Sequence, residues 1–445
     1  MTLNPNAFGP SADFAPAQPP ASVAAAEASA RPSIYRHLHK RTRFLGLLFL
    51  SILVPYSSGS AAEFRIGDYR AIALMGEPRL LTGVQYVSFA GDYGFIPPLP
   101  GAAAIEGHVR QESALLANFQ LRVINLEFLL PGNSGLDKDR QTDAVALDVL
   151  KRSGYHVVSR ANNHAMDFGY AGVHHNTRLL GEAGFKMIGL RTSSVYNWEI
   201  DGHAIALFSL ADDTDRPDAE GLVLGIDDAD LRLIGEHSSN ADFRIAFVHL
   251  GSLGFYPSPH ERTQVKRILH AGADLVVCTG SHFVKGFLYE DGKPVFYGIG
   301  NHIFSGSGDT EPVGIYAVAG LKDGKLVQLF VVPFHNAVFG EKTYALDESE
   351  FATFQRTFLD RSAADPGKYY SDPSSLAKMR DQLSRFDFTK VGEIRGRHVV
   401  YALGILYHHY PVIVIGSGLL VLASAGLLGR WIVRRHRRRK AKRTP

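Results

Sequence analysis

Five short motifs follow one another along the middle of the chain. They are Gly91-Asp92, Asn125-Leu126-Glu127, Ala161-Asn162-Asn163-His164, His249-Leu250-Gly251 and Gly280-Ser281-His282. Their side chains are carboxylates, amide carbonyls and imidazoles, the donors that divalent ions such as Mn²⁺, Fe²⁺, Zn²⁺ and Mg²⁺ take up. Such ions lower the pKa of a bound water and clamp an attacking oxygen. The pattern therefore outlines a dinuclear metal centre of the hydrolytic kind, and Asp92, Glu127, Asn163, His249 and His282 are its candidate ligands. Glu127 stands directly after the run Val123-Ile124-Asn125-Leu126, where a carboxylate is costly to bury unless it is paired or metal-bound. His164 is left over as the catalytic group, able to donate a hydrogen bond to a reacting oxyanion or leaving group, and Asp167 can orient its imidazole. Asn125, Asn162, Asn301 and His302 are candidate pocket residues.

Other residues of the same types read more plainly. Asp68, in Ile66-Gly67-Asp68-Tyr69, rivals Asp92 but lacks so clean a strand before it. His174 and His175 follow a helix start and read as solvated. The chain has 1 cysteine, Cys278, so no internal disulfide is possible; it lies in an apolar run and reads as a small core residue.

These motifs need strand ends to hold them, and the sequence supplies strands. Gln85 to Ala90, Arg122 to Ile124, His156 to Val158, Ala204 to Phe208, Arg244 to Val248, Leu275 to Val277 and Val295 to Tyr297 are short and β-rich. Several are almost continuously apolar, as strands covered on both faces must be. Helical patterns lie near 103–118, 142–153, 172–184, 226–236 and 259–271. The alternation argues an α/β architecture, in which ligands sit at strand ends and loops admit substrate.

Three pieces are the most specific: Asn125-Leu126-Glu127, Ala161 to His164 with Asp167 and Gly169, and Val295-Phe296-Tyr297-Gly298-Ile299-Gly300-Asn301. Through them, from about Tyr86 to Phe304, the chain resembles the CapA family, the poly-γ-glutamate or capsule-synthesis proteins with a metallophosphoesterase-like fold. The resemblance implies a four-layer α/β/β/α sandwich. It also implies Asp92 on a first metal, Glu127 bridging, and Asn163, His249 and His282 on a second. The chain departs from the family pattern after His282, where a second His two residues on is replaced by Val284; the family's Trp and Glu after the His249 position are Leu250 and Leu253. Three outcomes stay open: a one-metal site built on Asn163, His249, His282 and Glu127; a two-metal site in which His302 supplies the missing nitrogen; or a domain that has lost turnover and works as a binding or scaffold subunit.

The whole chain places this domain. Of 445 residues, 47 are Lys or Arg and 44 Asp or Glu. Residues 1–43 and 430–445 hold 14 of the basic residues and only the acids Asp13 and Glu27, so the stretch between carries a net charge of −9. Such a stretch lacks the basic footprint that nucleic acid requires. Residues 1–43 read as a disordered, basic N-terminus and 44–62 as a signal peptide or signal anchor, with Ser60-Ala61-Ala62 a candidate cleavage site. The CapA-like domain is expected over 63–340 and a stalk or cap over 341–398, with helical pieces from Ser349 to Leu359. Residues 399–433 read as a transmembrane helix region and 434–445 as a basic cytoplasmic tail. The expectation is thus a protein of the bacterial cell membrane, its main domain periplasmic or extracellular. It would act in synthesis, release or export of an anionic extracellular polymer, cutting a phosphoester or amide-type bond, with membrane-embedded synthase or export subunits as partners. A negatively charged domain handling an anionic polymer needs an ion as its local positive charge. The alternatives are a non-catalytic scaffold subunit of a polymer synthase and a general periplasmic metallophosphoesterase.

Overall fold

The structure, a computed structural model, describes residues 61–94, 102–130, 145–212, 218, 221–251, 254–304, 312–336 and 344–364. Nine strands form the larger sheet. Their order is β1 (Ala62–Ile66), β2 (Tyr69–Met75), β15 (Lys325–His335), β14 (Val313–Lys322), β3 (Gln85–Gly94), β4 (Leu121–Leu126), β5 (Val157–Ser159) and β6 (Lys186–Ile188), with β13 (Asn301–Phe304) also paired to β3. Six strands form the smaller sheet: β11 (Phe287–Glu290), β12 (Lys293–Phe296), β10 (Leu275–Thr279), β9 (Phe243–His249), β8 (His203–Ala211) and β7 (Val195–Ile200). Strands β3 to β6 run parallel, as do β8, β9, β10 and β12.

The period-2 alternation of side chains decides the layering. Val87 and Phe89 of β3 join one buried cluster with Ile205, Leu207, Ile245, Phe247, Leu275 and Val277, so the two sheets pack face to face. Tyr86, Ala90 and Tyr93, on the opposite side of β3, join a second cluster with helices α1 (Ala102–Leu116), α2 (Val145–Ser153) and α3 (Gly169–Glu182). Helices α4 (Asp228–His237) and α5 (Pro259–His270) cover the outer face of the smaller sheet through Leu231, Ile234, Val265 and Ile268 against Val248, Val276 and Cys278. The fold is therefore mixed α/β, with two stacked sheets and six helices among the described residues. Burying each large apolar side chain here contributes ~1.5–3 kcal/mol.

Strands β14 and β15 were not legible as separate elements in the sequence reading, although their connection carries a clear signal. Asp323-Gly324 joins them with both residues at positive φ, and Asp201-Gly202 and Asp291-Gly292 make the same turn between β7 and β8 and between β11 and β12. Such turns match the twist of a hairpin and select Asp-Gly.

The helical piece expected from Ser349 is α6 (Glu348–Ala363), opened by a capping box of Asp347 and Glu350. Its Phe351, Phe354 and Phe358 enter the inter-sheet cluster, so packing continues past residue 340 and this part of 341–398 covers the domain as a cap. No helix among the described residues is long and apolar enough to cross a membrane. The readings for 1–43, for most of 44–62, for 399–433 and for 434–445 lie outside the described residues.

Candidate metal centre

The two sheets bring their strand ends together at one point. In the larger sheet Asp92 pairs in register with Asn125 of β4 on one side and Asn301 of β13 on the other. The register of β3 slips between Ala90 and Asp92, a bulge centred on Gly91. A Cβ on Gly91 would stand 1.9 Å from the carbonyl oxygen of Gly300, so only glycine lets β13 approach β3 there. In the smaller sheet Thr279 and His249 are register partners at the ends of β10 and β9.

Hydrogen bonds stitch these ends across the gap between sheets. Thr279 Oγ1 donates to Asp92 Oδ1 (2.6 Å) and the Gly280 amide donates to Asp92 Oδ2 (2.9 Å). Asn125 Nδ2 donates to Asp92 Oδ1 (2.8 Å) and lies 3.2 Å from His249 Nδ1. Asn162 Nδ2 in turn donates to Asn125 Oδ1 (3.2 Å) and to the Leu126 carbonyl (2.9 Å). Asn125 and Asn162 thus form a bracket under the cluster rather than part of a pocket wall.

His282 sits at φ 59°, a left-handed conformation that costs a non-glycine residue ~1–2 kcal/mol. That backbone turns the imidazole toward the carboxylates. Its Nδ1 lies 2.8 Å from Asn301 Oδ1 and 3.3 Å from Asp92 Oδ2. Both are acceptors, so Nδ1 carries a proton, and Nε2, which faces Glu127 Oε1 at 3.9 Å, is the nitrogen whose lone pair a metal would take on displacing its proton. Both oxygens of Glu127 are buried without a hydrogen-bond partner. The ligand atoms of Asp92, Glu127 and His282 lie within 4.8 Å of one another. Two carboxylates and an imidazole lone pair, with bonds of ~2 Å to each donor, fit a divalent ion.

The charges follow from the same geometry. Burial works against ionising Asp92, but His249 and His282 outweigh it and hold the carboxyl well below its usual range. Glu127 moves the other way: burial and then the negative Asp92 raise its pKa, and His282, His249 and His164 only partly oppose this. Burial also opposes protonation of His282, yet Glu127, Asp92 and Asn301 push it up to about 9. One buried carboxylate is thus already satisfied, and the other has imidazoles near it but no hydrogen bond.

The remaining sequence candidates fall into place around this group. His164 Nδ1 lies 2.9 Å from Asp167 Oδ2, and its Nε2 lies 3.7 Å from Glu127 Oε1, so Asp167 orients His164 toward the cluster. Asn163 Oδ1 is buried without a hydrogen-bond partner. His249 borders the group through Asp92 Oδ1 at 3.6 Å, and its Nε2 packs against Gly280, where a Cβ would stand 2.9 Å away.

The structure places two of the expected residues, His282 and His302, differently from the expectation. His282, expected on a second metal with Asn163 and His249, is grouped with Asp92 and Glu127. His302 is not a pocket residue and cannot supply a nitrogen here. Its ring lies with Tyr93, Tyr155 and Tyr316 on the outer side of the larger sheet, its Nε2 2.6 Å from Glu112 Oε1. One step along β13 from Asn301, the side chain points to the opposite face. Val284 is fully buried in the inter-sheet core, so its place is structural. Asp68 is exposed in the turn between β1 and β2, and Cys278 is buried core. Thr279 was missed, though a polar residue ending the apolar run Leu275 to Cys278 is the kind of signal that marked Asp92.

The geometry defines a class: a two-sheet α/β protein with a carboxylate–imidazole cluster where parallel strands end. Residues 86–306 match the family model described as bacterial capsule synthesis protein PGA_cap, and the chain resembles the CapA proteins. It is 25% identical over 178 residues to the PGA biosynthesis protein CapA of Bacillus subtilis (strain 168), covering 37% of this chain and 46% of that protein. It is also 25% identical over 218 residues to the capsule biosynthesis protein CapA of Bacillus anthracis, covering 45% and 53%. The chain thus spans about half the length of the curated relatives it matches. Among solved structures, a 5′-nucleotidase from Candida albicans aligns with a TM-score of 0.36 at 12% identity, over 64% of this chain and 59% of that one.

Proposed function

We propose that this chain acts in the synthesis, release or export of an anionic extracellular polymer of the capsule or poly-γ-glutamate type, through one divalent ion held by Asp92, Glu127 and His282. The observation that carries the reading is the buried pair of unpartnered Glu127 oxygens among the ligand atoms of Asp92 and His282. The names of the CapA relatives support the polymer, and the net negative charge of the domain supports the need for a cation. A bound ion supplies a local positive charge for an anionic substrate and lowers the pKa of its water. The chain's own residues do the rest. Asn301 and Asp92 hold the Nδ1 proton of His282, which keeps Nε2 basic. Asp167 accepts from Nδ1 of His164, and in the imidazolium form Nε2 on the Glu127 side would give its proton to a leaving oxygen or nitrogen.

In the same proposal the domain is exported and anchored through 399–433, beside membrane-embedded synthase or export subunits. The test is metal content of the purified full-length chain together with polymer output from cells carrying Glu127→Gln or His282→Ala. Loss of one ion per chain together with loss of polymer supports the reading. Wild-type polymer output from a variant that has lost that ion refutes it.

A second reading, a non-catalytic subunit of a polymer synthase, is favoured by Val284, which puts core carbon where the family pattern has an imidazole. Recovery of the chain without metal, even after metal is added back, and in complex with integral membrane proteins would decide for it.

A further inference from the structure

A second group of metal-type donors lies on the other face of the same sheet. His108 and Glu112 stand four residues apart on α1, hence on one side of that helix, and His302 meets them from β13. Their ligand atoms lie within 4.8 Å of one another, like those of the first group. His302 Nε2 is 2.6 Å from Glu112 Oε1, and His108 Nε2 is 3.2 Å from Glu112 Oε2. Glu112 and His302 are fully buried.

The surroundings hold this carboxylate in one orientation. Tyr155 and Tyr316 hydroxyls each donate to Glu112 Oε1 at 2.7 Å. Tyr344 closes the ring by a hydrogen bond with Tyr316. Every phenol contact goes to Oε1, while Oε2, turned toward His108, has no well-directed hydrogen bond. A carboxylate buried in an aromatic layer, with one oxygen met only by the His108 imidazole at 3.2 Å, is costly unless something charged joins it. The phenols are placed as supporting donors that fix a ligand without occupying its free oxygen. His108 keeps 11% of its side-chain surface exposed, which leaves a way in from solvent.

The geometry points to a second, separate metal site formed by His108, Glu112 and His302, taking a divalent transition ion such as zinc. Two imidazoles and one carboxylate are a common three-ligand set for such ions and a poor one for calcium or magnesium. The ion ties α1 to β13, the strand whose Asn301 holds His282 in the first site.

The test uses the full-length chain without a histidine tag, stripped with chelator and then titrated with Zn²⁺ alone, with bound zinc per chain measured by elemental analysis. Glu127→Gln disables the first site and is expected to keep one zinc. Adding His108→Ala to that variant should weaken the remaining binding by more than the ~10- to 100-fold that loss of a supporting residue costs. Glu112→Gln should do the same; if that buried change prevents folding, the partly exposed His108 variant decides alone, with circular dichroism as the check on fold. Zinc retained by Glu127→Gln but indifferent to His108→Ala overturns the proposal, as does Glu127→Gln that binds none. Equal zinc in wild type and Glu127→Gln, all of it lost with His108→Ala, upholds this site while removing the first.

Discussion

Glu127→Gln should stabilise the metal-free protein while removing the part of its response to metal that comes from the Asp92, Glu127 and His282 group. In the native state both Glu127 oxygens are buried without a hydrogen bond, its nearest imidazole nitrogens stand at 3.7 and 3.9 Å, and Asp92 adds a like charge. Glutamine keeps the shape and removes the charge. The amide stays buried, so the gain comes from the lost charge alone, on the order of 1–3 kcal/mol, which is a few degrees in Tm for a domain of this size. The effect has a pH signature. Because the folded protein raises the pKa of Glu127 above its ordinary 4.5, the folded state holds that proton more tightly than the unfolded chain. Stability from this group is therefore greatest at low pH and declines as pH rises past the ordinary carboxyl range. The advantage of Glu127→Gln should be small near pH 4.5 and grow toward pH 8. Adding a divalent ion at about 100 times the Kd of the first site should reverse the order, stabilising wild type by ~2.7 kcal/mol more than the variant, which keeps only the stabilisation from any ion bound elsewhere. Thermal unfolding followed by circular dichroism, in chelator and in metal across that pH range, measures all of this. A variant less stable than wild type in chelator at every pH, or equally stabilised by metal, refutes the reasoning.

Gly91→Ala should abolish soluble expression or cost several kcal/mol in urea unfolding, because its Cβ would lie 1.9 Å from a backbone oxygen that cannot move without parting β13 from β3. Lys285→Met should cost ~3–5 kcal/mol by stranding the buried Glu261 carboxylate, and the double variant with Glu261→Gln should recover part of that in the same unfolding assay. Phe351→Ala should cost ~3–5 kcal/mol if α6 belongs to the inter-sheet core as its 1% exposure indicates; an unchanged urea midpoint would count against that packing. Asp167→Asn should leave metal content at the wild-type level while polymer output falls by ~10-fold or more, since only the orientation of His164 is lost.

Much of the site was legible because it is written locally. A carboxylate, amide or imidazole that ends an apolar run marks a strand end facing a cleft, and Asp92, Glu127, His249 and His282 were all found on that signal. His164 and Asp167 are three residues apart, so their contact could be read directly. Thr279 and Asp92 are 187 positions apart, and no local pattern says that one will donate to the other. The strand pair β14 and β15 carries the same continuous burial as the strands that were read, and the Asp323-Gly324 turn marks where the two join.

The sequence by itself determined the kinds of donor, their order along the chain, the α/β alternation and the charge contrast between the ends and the middle. These are properties of composition and short-range periodicity, which survive without any knowledge of which strands are neighbours. Tertiary structure alone decided which donors meet. The bulge at Gly91 sets the register that lines up Asn301, Asp92 and Asn125. The pleat of β13 sends Asn301 to one face and His302 to the other, joining His302 to a Glu112 that lies 190 positions away. Register shifts of one residue reverse every side chain of a strand, so the partition of one sequence into two donor clusters is set by pairing geometry, which neighbouring residues in the chain do not encode.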